Sequence, residues 1–355
     1  MSKKKSIFIV GPFPPPFSGT TIKNEILSEW LSKENVIVTH INTISKGFRT
    51  VFNILKFTLS NNRYLILSVS TKGRNVLIPY AYFAKTIFCK KIILLPCGGT
   101  MPDEMMTMGG LRAKFYHLAC KSMVRIFVET CAMEMKLKQI LGTSNIEVMP
   151  NFKPCPQTAP TFKQNRTIRL VYMSRLRREK GVFILVDAVQ NLKEVEHLNI
   201  TLDFFGDFLK CDREVENEFM NKIDNLNYIQ FNGYLHPDKV NLVLRAYDIY
   251  VFPTYFESEG FPGALIDAAY AGLPVVATNI AYNAEIVQQG VTGLLCHPKD
   301  VQSMMDCIRT LYYDPAKRLE FGKNNWNRSA HFNPQIAARR IVDAFSIFDN
   351  NQSER

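Results

Sequence analysis

The sequence predicts an α/β protein made of two doubly wound domains, each a parallel sheet covered by helices on both faces. Three observations carry this. Short apolar runs of strand length alternate with amphipathic stretches of helix length, and the alternation occurs twice along the chain. The two series are separated by NFKPCPQTAPTFKQN (151–165), a segment rich in proline and polar residues. The chain has 355 residues, 46% of them hydrophobic and 21% charged, enough to build two globular cores and unlike a disordered polymer.

The first series starts with SIFIV (6–10), an apolar run that ends at Gly11. The basic start MSKKK resembles a leader, but five apolar residues are too few for the core of a secretory signal, so a buried first strand is expected. Further strands are expected at 36–41, 64–70, 91–95, 126–129 and 146–150. The greasiest stretch, VLIPYAYFAKTIFCKKIILLP (76–96), carries Lys85, Lys90 and Lys91, so it reads as a helix followed by a strand and not as a membrane span. The second series places strands at 168–174, 198–206, 228–233, 249–254 and 274–279, with helices at 182–192 and 236–247 between them. The closing stretch NPQIAARRIVDAFSIF (333–348) is a helix with Asn333 as cap and Pro334 at its first position. The expected domains are 1–155, joined by the C-terminal helix 333–349, and 166–330, with 156–165 as linker. Open sheets of this kind bind ligands beyond the carboxyl ends of their strands, so the two domains are expected to face each other across a cleft.

Charge is unevenly spread. Residues 1–157 hold 21 Lys and Arg against 8 Asp and Glu, a balance of +13, whereas the remainder holds 22 against 24, or −2. A basic first half suits nucleic acid or an anionic membrane leaflet. The eight cysteines are scattered singly, with no C-x-x-C pair and no zinc-type spacing with histidine. Reduced thiols in a cytosolic compartment, and no metal site, are the expectation.

The chemistry concentrates at ESEGFPGALIDAAYAGLPVVATN (257–279), which follows the strand IYVFPT. A Gly-Phe-Pro-Gly corner opens a small-residue helix that Gly272 ends. The amides of Gly260, Phe261 and Gly263 are expected to be unpaired and to point outward, where a helix start attracts phosphate. Glu259 precedes that start. A carboxylate repels phosphate, so Glu259 is suited to accepting from hydroxyls or facing a developing cation. Asp267 sits inside the helix among Ala and Leu, with no Lys or Arg one turn away.

This stretch resembles the signature of family-4 glycosyltransferases of the GT-B type: a Glu, seven residues, a second acid, then a small-residue helix and a Gly-x-Pro-Val-Val-Ala strand. The resemblance implies that Glu259 contacts the donor sugar and supports the reacting centre, and that Asp267, where the family has Glu, bonds the ribose hydroxyls. SRLRREKG (174–181) resembles the family's Arg-x4-Lys pair, so Arg175 and Lys180 are implied to hold the donor diphosphate, a planar fork and a point charge. Arg177 and Arg178 are expected to face solvent. In FNGYLHPDKVNLVLRAYDIYVFPT (231–254), the resemblance places Tyr234 near the base, while Asp248 is expected to be structural. GPFPPPFSGTT (11–21) stands where the family has a glycine loop, with Gly19 and Thr20 the implied contacts. Cys97, in LLPCGGT, stands where many relatives have a sugar-contacting His, and is a possible sugar contact. Glu285 is implied to sit near the donor.

The activity implied is transfer of a sugar from a nucleoside diphosphate sugar to an acceptor hydroxyl with retention, without metal or other cofactor. The basic first half then suggests an acceptor that is a lipid-linked saccharide of surface polysaccharide assembly. The protein would work in the cytoplasm, peripheral at the inner face of the plasma membrane. Rival readings are a catalytically inactive GT-B relative and a non-catalytic membrane- or nucleic-acid-binding protein. The second rival gives Glu259, Arg175 and Lys180 no task, and no nucleic-acid-binding motif is visible, so nucleic acid is not an expected partner.

Overall fold

The computed structural model describes residues 5–44, 47–162, 165–209, 211–280 and 282–353, so residues 163–164 of the expected linker lie outside the described residues. The chain divides into two compact units. The first comprises 1–154, 258–261 and 332–355, and the second 155–257 and 262–331.

In the first unit six strands form one parallel sheet: β1 (Ser6–Gly11), β2 (Ile37–Asn42), β3 (Tyr64–Val69), β4 (Lys91–Pro96), β5 (Arg125–Val128) and β6 (Ile146–Val148). Their order is β2-β1-β3-β4-β5-β6. The connecting helices are α1 (Gly19–Lys33), α2 (Phe48–Leu59), α3 (Thr71–Phe88), α4 (Met101–Thr107), α5 (Gly110–Lys121) and α6 (Cys131–Leu141). Local chemistry explains their limits. Ser18 caps α1 reciprocally with Thr21, each side chain accepting from the other's backbone amide. Thr130 caps α6, which stops at Gly142 in the left-handed region (φ 58°). Every residue of β4 is buried, as a central parallel strand requires. The long apolar stretch at 76–96 is indeed the end of a helix and a strand.

The second unit repeats the plan with β7 (Ile168–Met173), β8 (Ile200–Phe205), β9 (Ile229–Phe231), β10 (Ile249–Phe252), β11 (Val275–Thr278) and β12 (Gly293–Cys296). Its order is β12-β11-β10-β7-β8-β9, again all parallel. Helices α7 (Val182–Glu194), α8 (Arg213–Ile223), α9 (Pro237–Leu244), α10 (Gly263–Tyr270), α11 (Asn283–Ile286), α12 (Val301–Tyr313) and α13 (Pro315–Ser329) connect and cover the strands. Asp248 is structural, as expected: it is buried and accepts from the Arg169 amide and the Asn165 side chain. The last helix, α14 (Pro334–Ser353), packs on α1 and puts Ala338, Ile341 and Phe345 into the core of the first unit. Asn333 accepts from the Gln335 amide at its start.

In each sheet the strand order reverses once, between β1 and β3 and between β7 and β10. At such a reversal the neighbouring loops of an open parallel sheet leave in opposite directions, and ligands of such sheets bind beyond the strand ends there. The residues after β7 and β10 are Arg175 to Gly181 and Thr254 to Phe256.

Candidate active site

At the switch point of the second unit, the segment after β7 is pinned to the end of β10. A 3₁₀ turn, Arg178–Lys180, leads into Gly181, whose φ is 76°. A side chain on Gly181 would put Cβ 2.1 Å from the Pro253 carbonyl oxygen, so glycine alone fits this close approach. The Tyr255 amide donates to the Glu179 carbonyl at 2.8 Å, joining the two segments. Lys180 is thereby held with only 5% of its surface exposed and its Nζ 4.9 Å from the Phe256 ring centroid. Arg175 is exposed, and its carbonyl accepts from Tyr172 Oη at 2.8 Å. Arg177 is partly buried and paired with Glu179 and Asp212, while Arg178 is exposed and paired with Glu218. An exposed cation, a buried cation and two ion-paired ones therefore follow β7.

Asp267 lies on α10 and is 8% exposed. The helix begins at Gly263 with Pro262 as its cap residue, and Gly272 ends it with φ 69°. The close packing of α10 on α13 depends on Gly322, where a Cβ would meet the Gly272 carbonyl oxygen at 2.3 Å. The loop after β9 carries Tyr234, half exposed. Glu285 is partly exposed on the single-turn α11, whose last carbonyls accept from the Arg328 guanidinium.

The residues just before α10 required a correction. Residues 258–261 were expected within the second domain, with the amides of Gly260, Phe261 and Gly263 unpaired; instead, 258–261 group with the first unit and the Phe261 amide is taken. There the Phe261 amide donates to Glu129 Oε2 at 3.0 Å, and Asn151 Nδ2 donates to the Phe261 carbonyl at 3.0 Å. Glu129 also accepts from Lys23 Nζ at 2.6 Å, with both side chains 6–7% exposed. A Cβ on Gly260 would lie 2.7 Å from Glu129 Oε2 and 3.1 Å from the Gly98 backbone. The 258–261 loop is thus moulded on a buried ion pair, which positions Glu259, itself partly exposed. Burial alone would lower the Lys23 ammonium, but the carboxylate of Glu129 and its hydrogen bond outweigh this and leave it above its ordinary value.

Of the remaining expected contacts in the first unit, Gly19 and Thr20 form the first turn of α1. Apart from its chain neighbours and the backbone of its own helix, no described atom lies within 4 Å of where a Gly19 Cβ would stand, so the glycine faces open space. Cys97 is buried, its Sγ 3.5 Å from Ser68 Oγ, and burial raises its thiol pKa although Lys23 acts in the opposite sense. Cys97 is therefore a packed thiol and not a surface group. Glu129 and Lys23 were not anticipated. Their signal was present but faint: an acid at the end of the apolar strand RIFVE, and a lysine on the buried side of a helix. Among the described residues, no cluster of three or more His, Cys, Asp or Glu could hold a metal, and no helix is long and apolar enough to cross a membrane.

Comparison with known proteins bears on the second unit and on the fold. Residues 157–328 match the family of glycosyl transferases group 1. Glycogen synthase of Mycobacterium tuberculosis is 30% identical over 161 residues, which is 45% of this chain and 36% of that protein. The 2-deoxystreptamine N-acetyl-D-glucosaminyltransferase of Niallia circulans is 28% identical over 176 residues, 48% of this chain and 42% of that one. The matched region thus spans well under two thirds of these relatives. Solved structures agree in fold over nearly the whole length. Anabaena HepE in complex with UDP superposes with a TM-score of 0.74 at 16% identity, covering 96% of this chain and 99% of that one. Sucrose-phosphate synthase from Thermosynechococcus elongatus gives 0.79 at 15% identity, with 98% and 100% covered. At such identities the fold is what is shared. Residues 157–328, the body of the second unit, are thus similar to the glycosyl transferases group 1 family, and the two-sheet fold is of the GT-B type.

Proposed function

We propose that the protein is a retaining glycosyltransferase of family-4 type, which moves a sugar from a nucleoside diphosphate sugar to the hydroxyl of a lipid-linked saccharide. The observation that carries the reading is the arrangement after β7, where Gly181 and Phe256 hold Lys180 in a buried position on the same segment as the exposed Arg175. The family match over the same unit and the UDP named in the HepE complex support a nucleoside diphosphate as ligand.

In this reading the bond between the anomeric carbon and the diphosphate oxygen breaks, leaving an oxocarbenium-like sugar. Arg175 and Lys180 take up the negative charge developing on the diphosphate, the kind of preorganised electrostatic help that usually dominates. Asp267 accepts from the ribose hydroxyls. Glu259, set by the Glu129–Phe261 contact, orients the sugar and balances its positive charge. The departing phosphate accepts the proton of the attacking hydroxyl, which enters on the same face. Cationic side chains supply the charge a metal would otherwise bring. Tyr234 and Glu285 are assigned to the base and the donor, and the amides of Gly19 and Thr20 to the phosphates. The basic first half supports an acceptor carried in an anionic membrane, in surface polysaccharide assembly at the cytoplasmic face.

The test is turnover of a panel of nucleoside diphosphate sugars with lipid-linked saccharides as acceptors, reading the anomeric configuration of the product by NMR. Retention, with turnover abolished in Glu259→Ala, is expected. An inverted product, or a Glu259→Ala variant as active as the wild type, would overturn the reading. Nucleotide binding without turnover of any donor would favour an inactive relative.

A further inference from the structure

The first unit carries a helix whose amphipathic character is turned inside out. In α2, Phe48, Val51, Phe52, Leu55 and Leu59 follow the spacing of one helical face, and each is 54% to 84% exposed. Phe48 and Phe52 stack on each other in solvent, with centroids 6.3 Å apart. The opposite side holds the helix in place: Phe57 is buried against Phe8, and Thr58 is hydrogen-bonded to Tyr80. α3 packs beside α2 and α5 beside α3, and both repeat the pattern. Val76, Phe83 and Ile87 are exposed on α3, and Leu111, Phe115 and Leu118 on α5. An apolar surface of this extent on neighbouring elements marks an interaction site.

The charges say with what. None of the three helices contains an Asp or Glu. They carry Arg49 and Lys56, Lys72 and Lys85, and Arg112, Lys114 and Lys121, besides the buried Arg74 that pairs with Glu104. Apolar side chains flanked by cations and free of acids are the composition of a helix that lies in a membrane interface, its apolar face among the acyl chains and its cations at anionic headgroups.

We propose that α2, together with the exposed residues of α3 and α5, is the docking face for an anionic lipid leaflet, with Phe48, Phe52 and Leu55 inserting. The inference deepens the membrane-borne acceptor of the proposed function and rests on that reading for its biological purpose, although the surface itself is read from exposure and charge. Each cation near the leaflet strengthens partitioning by about five-fold.

The experiment is flotation of the full chain with vesicles of phosphatidylcholine alone or of phosphatidylcholine mixed with the anionic lipid phosphatidylglycerol. The wild type is compared with a Phe48→Ser/Phe52→Ser/Leu55→Ser variant and a separate Arg49→Gln/Lys56→Gln variant. All five positions are exposed, and circular dichroism and the thermal shift produced by nucleoside diphosphates check that the variants are folded. Flotation with anionic vesicles only, reduced at least ten-fold in the serine variant and weakened in the glutamine variant, is expected. Equal flotation of the wild type and the serine variant, indifference to lipid charge, or no flotation would overturn the proposal. So would a wild-type dimer that the serine variant dissociates without any vesicle binding. Nucleotide-induced stabilisation is read separately, so loss of docking leaves the glycosyltransferase reading standing, and the reverse holds too.

Discussion

Replacing Glu129 by glutamine keeps the length of the side chain and removes a negative charge that meets Lys23 Nζ at 2.6 Å inside the first unit. Removing one partner of a buried pair leaves the other charge uncompensated and typically costs about 3–5 kcal/mol. For a unit of this size each kcal/mol shifts the melting temperature by about 2–4 °C, so the first unit of Glu129→Gln should melt roughly 6–20 °C lower. The pH dependence should reverse in sign. In the wild type Lys23 titrates above its ordinary value of 10.5, so its contribution is complete below 10.5 and disappears as pH rises through the higher folded value. Without Glu129, the desolvation of Lys23 is left unopposed and its folded pKa falls below 10.5. The unfolded chain then binds more protons than the folded one over the interval between, so the variant gains stability as pH rises there. The double variant Lys23→Met/Glu129→Leu should recover most of the loss, because an apolar pair of similar volume removes the stranded charge. Calorimetry from pH 7 to beyond the ordinary lysine value of 10.5 measures all three. A Glu129→Gln variant within 2 °C of the wild type (about 1 kcal/mol or less by the same conversion), with an unchanged pH slope, would refute the role given to this pair.

Other perturbations have equally definite outcomes. Lys180→Ala should weaken nucleoside diphosphate binding about 10- to 150-fold, the worth of one charge-assisted phosphate contact, as read by titration calorimetry. Gly181→Ala should destabilise the second unit by about 2–5 kcal/mol, from its left-handed backbone and the encounter with the Pro253 carbonyl, and chemical denaturation would show whether it does. Gly260→Ala should lower turnover more than donor binding, because the added Cβ displaces Glu129 or the 258–261 loop and not the lysine after β7. At acid pH the Arg74–Glu104 pair matters. Burial would raise the Glu104 carboxyl, but hydrogen bonds from Thr100, Thr71 and Arg74, with the Arg74 charge, hold it below its ordinary 4.5. Its contribution is present above 4.5 and lost as pH falls through the depressed value, so Glu104→Gln should flatten the acid limb of the stability curve.

Both sheets were legible in the sequence because a parallel strand buried on two faces leaves an unbroken apolar run, such as KIILL or YVF, and each run is followed by helical spacing. Asn333 with Pro334 announced α14, and Lys180-Gly181 marked the turn after β7, since those residue types carry their backbone geometry with them. What lay beyond reach depended on distant partners. Lys23 and Glu129 are 106 residues apart, and neither is distinguishable from a surface charge until the fold brings them together. The Phe261 amide looked free because its acceptor comes from the end of β5, far away in the chain. Cys97 stood at a position suggestive of sugar contact, yet its thiol turns toward Ser68. For α2, periodicity defines an apolar face but not which way it points; the structure turns that face to solvent.

Arg175 and Lys180 are proposed to hold a nucleoside diphosphate after β7. Thermal unfolding of the wild type, Arg175→Ala and Lys180→Ala with UDP, GDP and ADP tests this proposal most directly. At a hundredfold excess over the dissociation constant, one of the three should stabilise the wild type by about 2.7 kcal/mol, and both variants should lose most of that gain. A wild type indifferent to every nucleotide, or variants that respond as fully as the wild type, would contradict it.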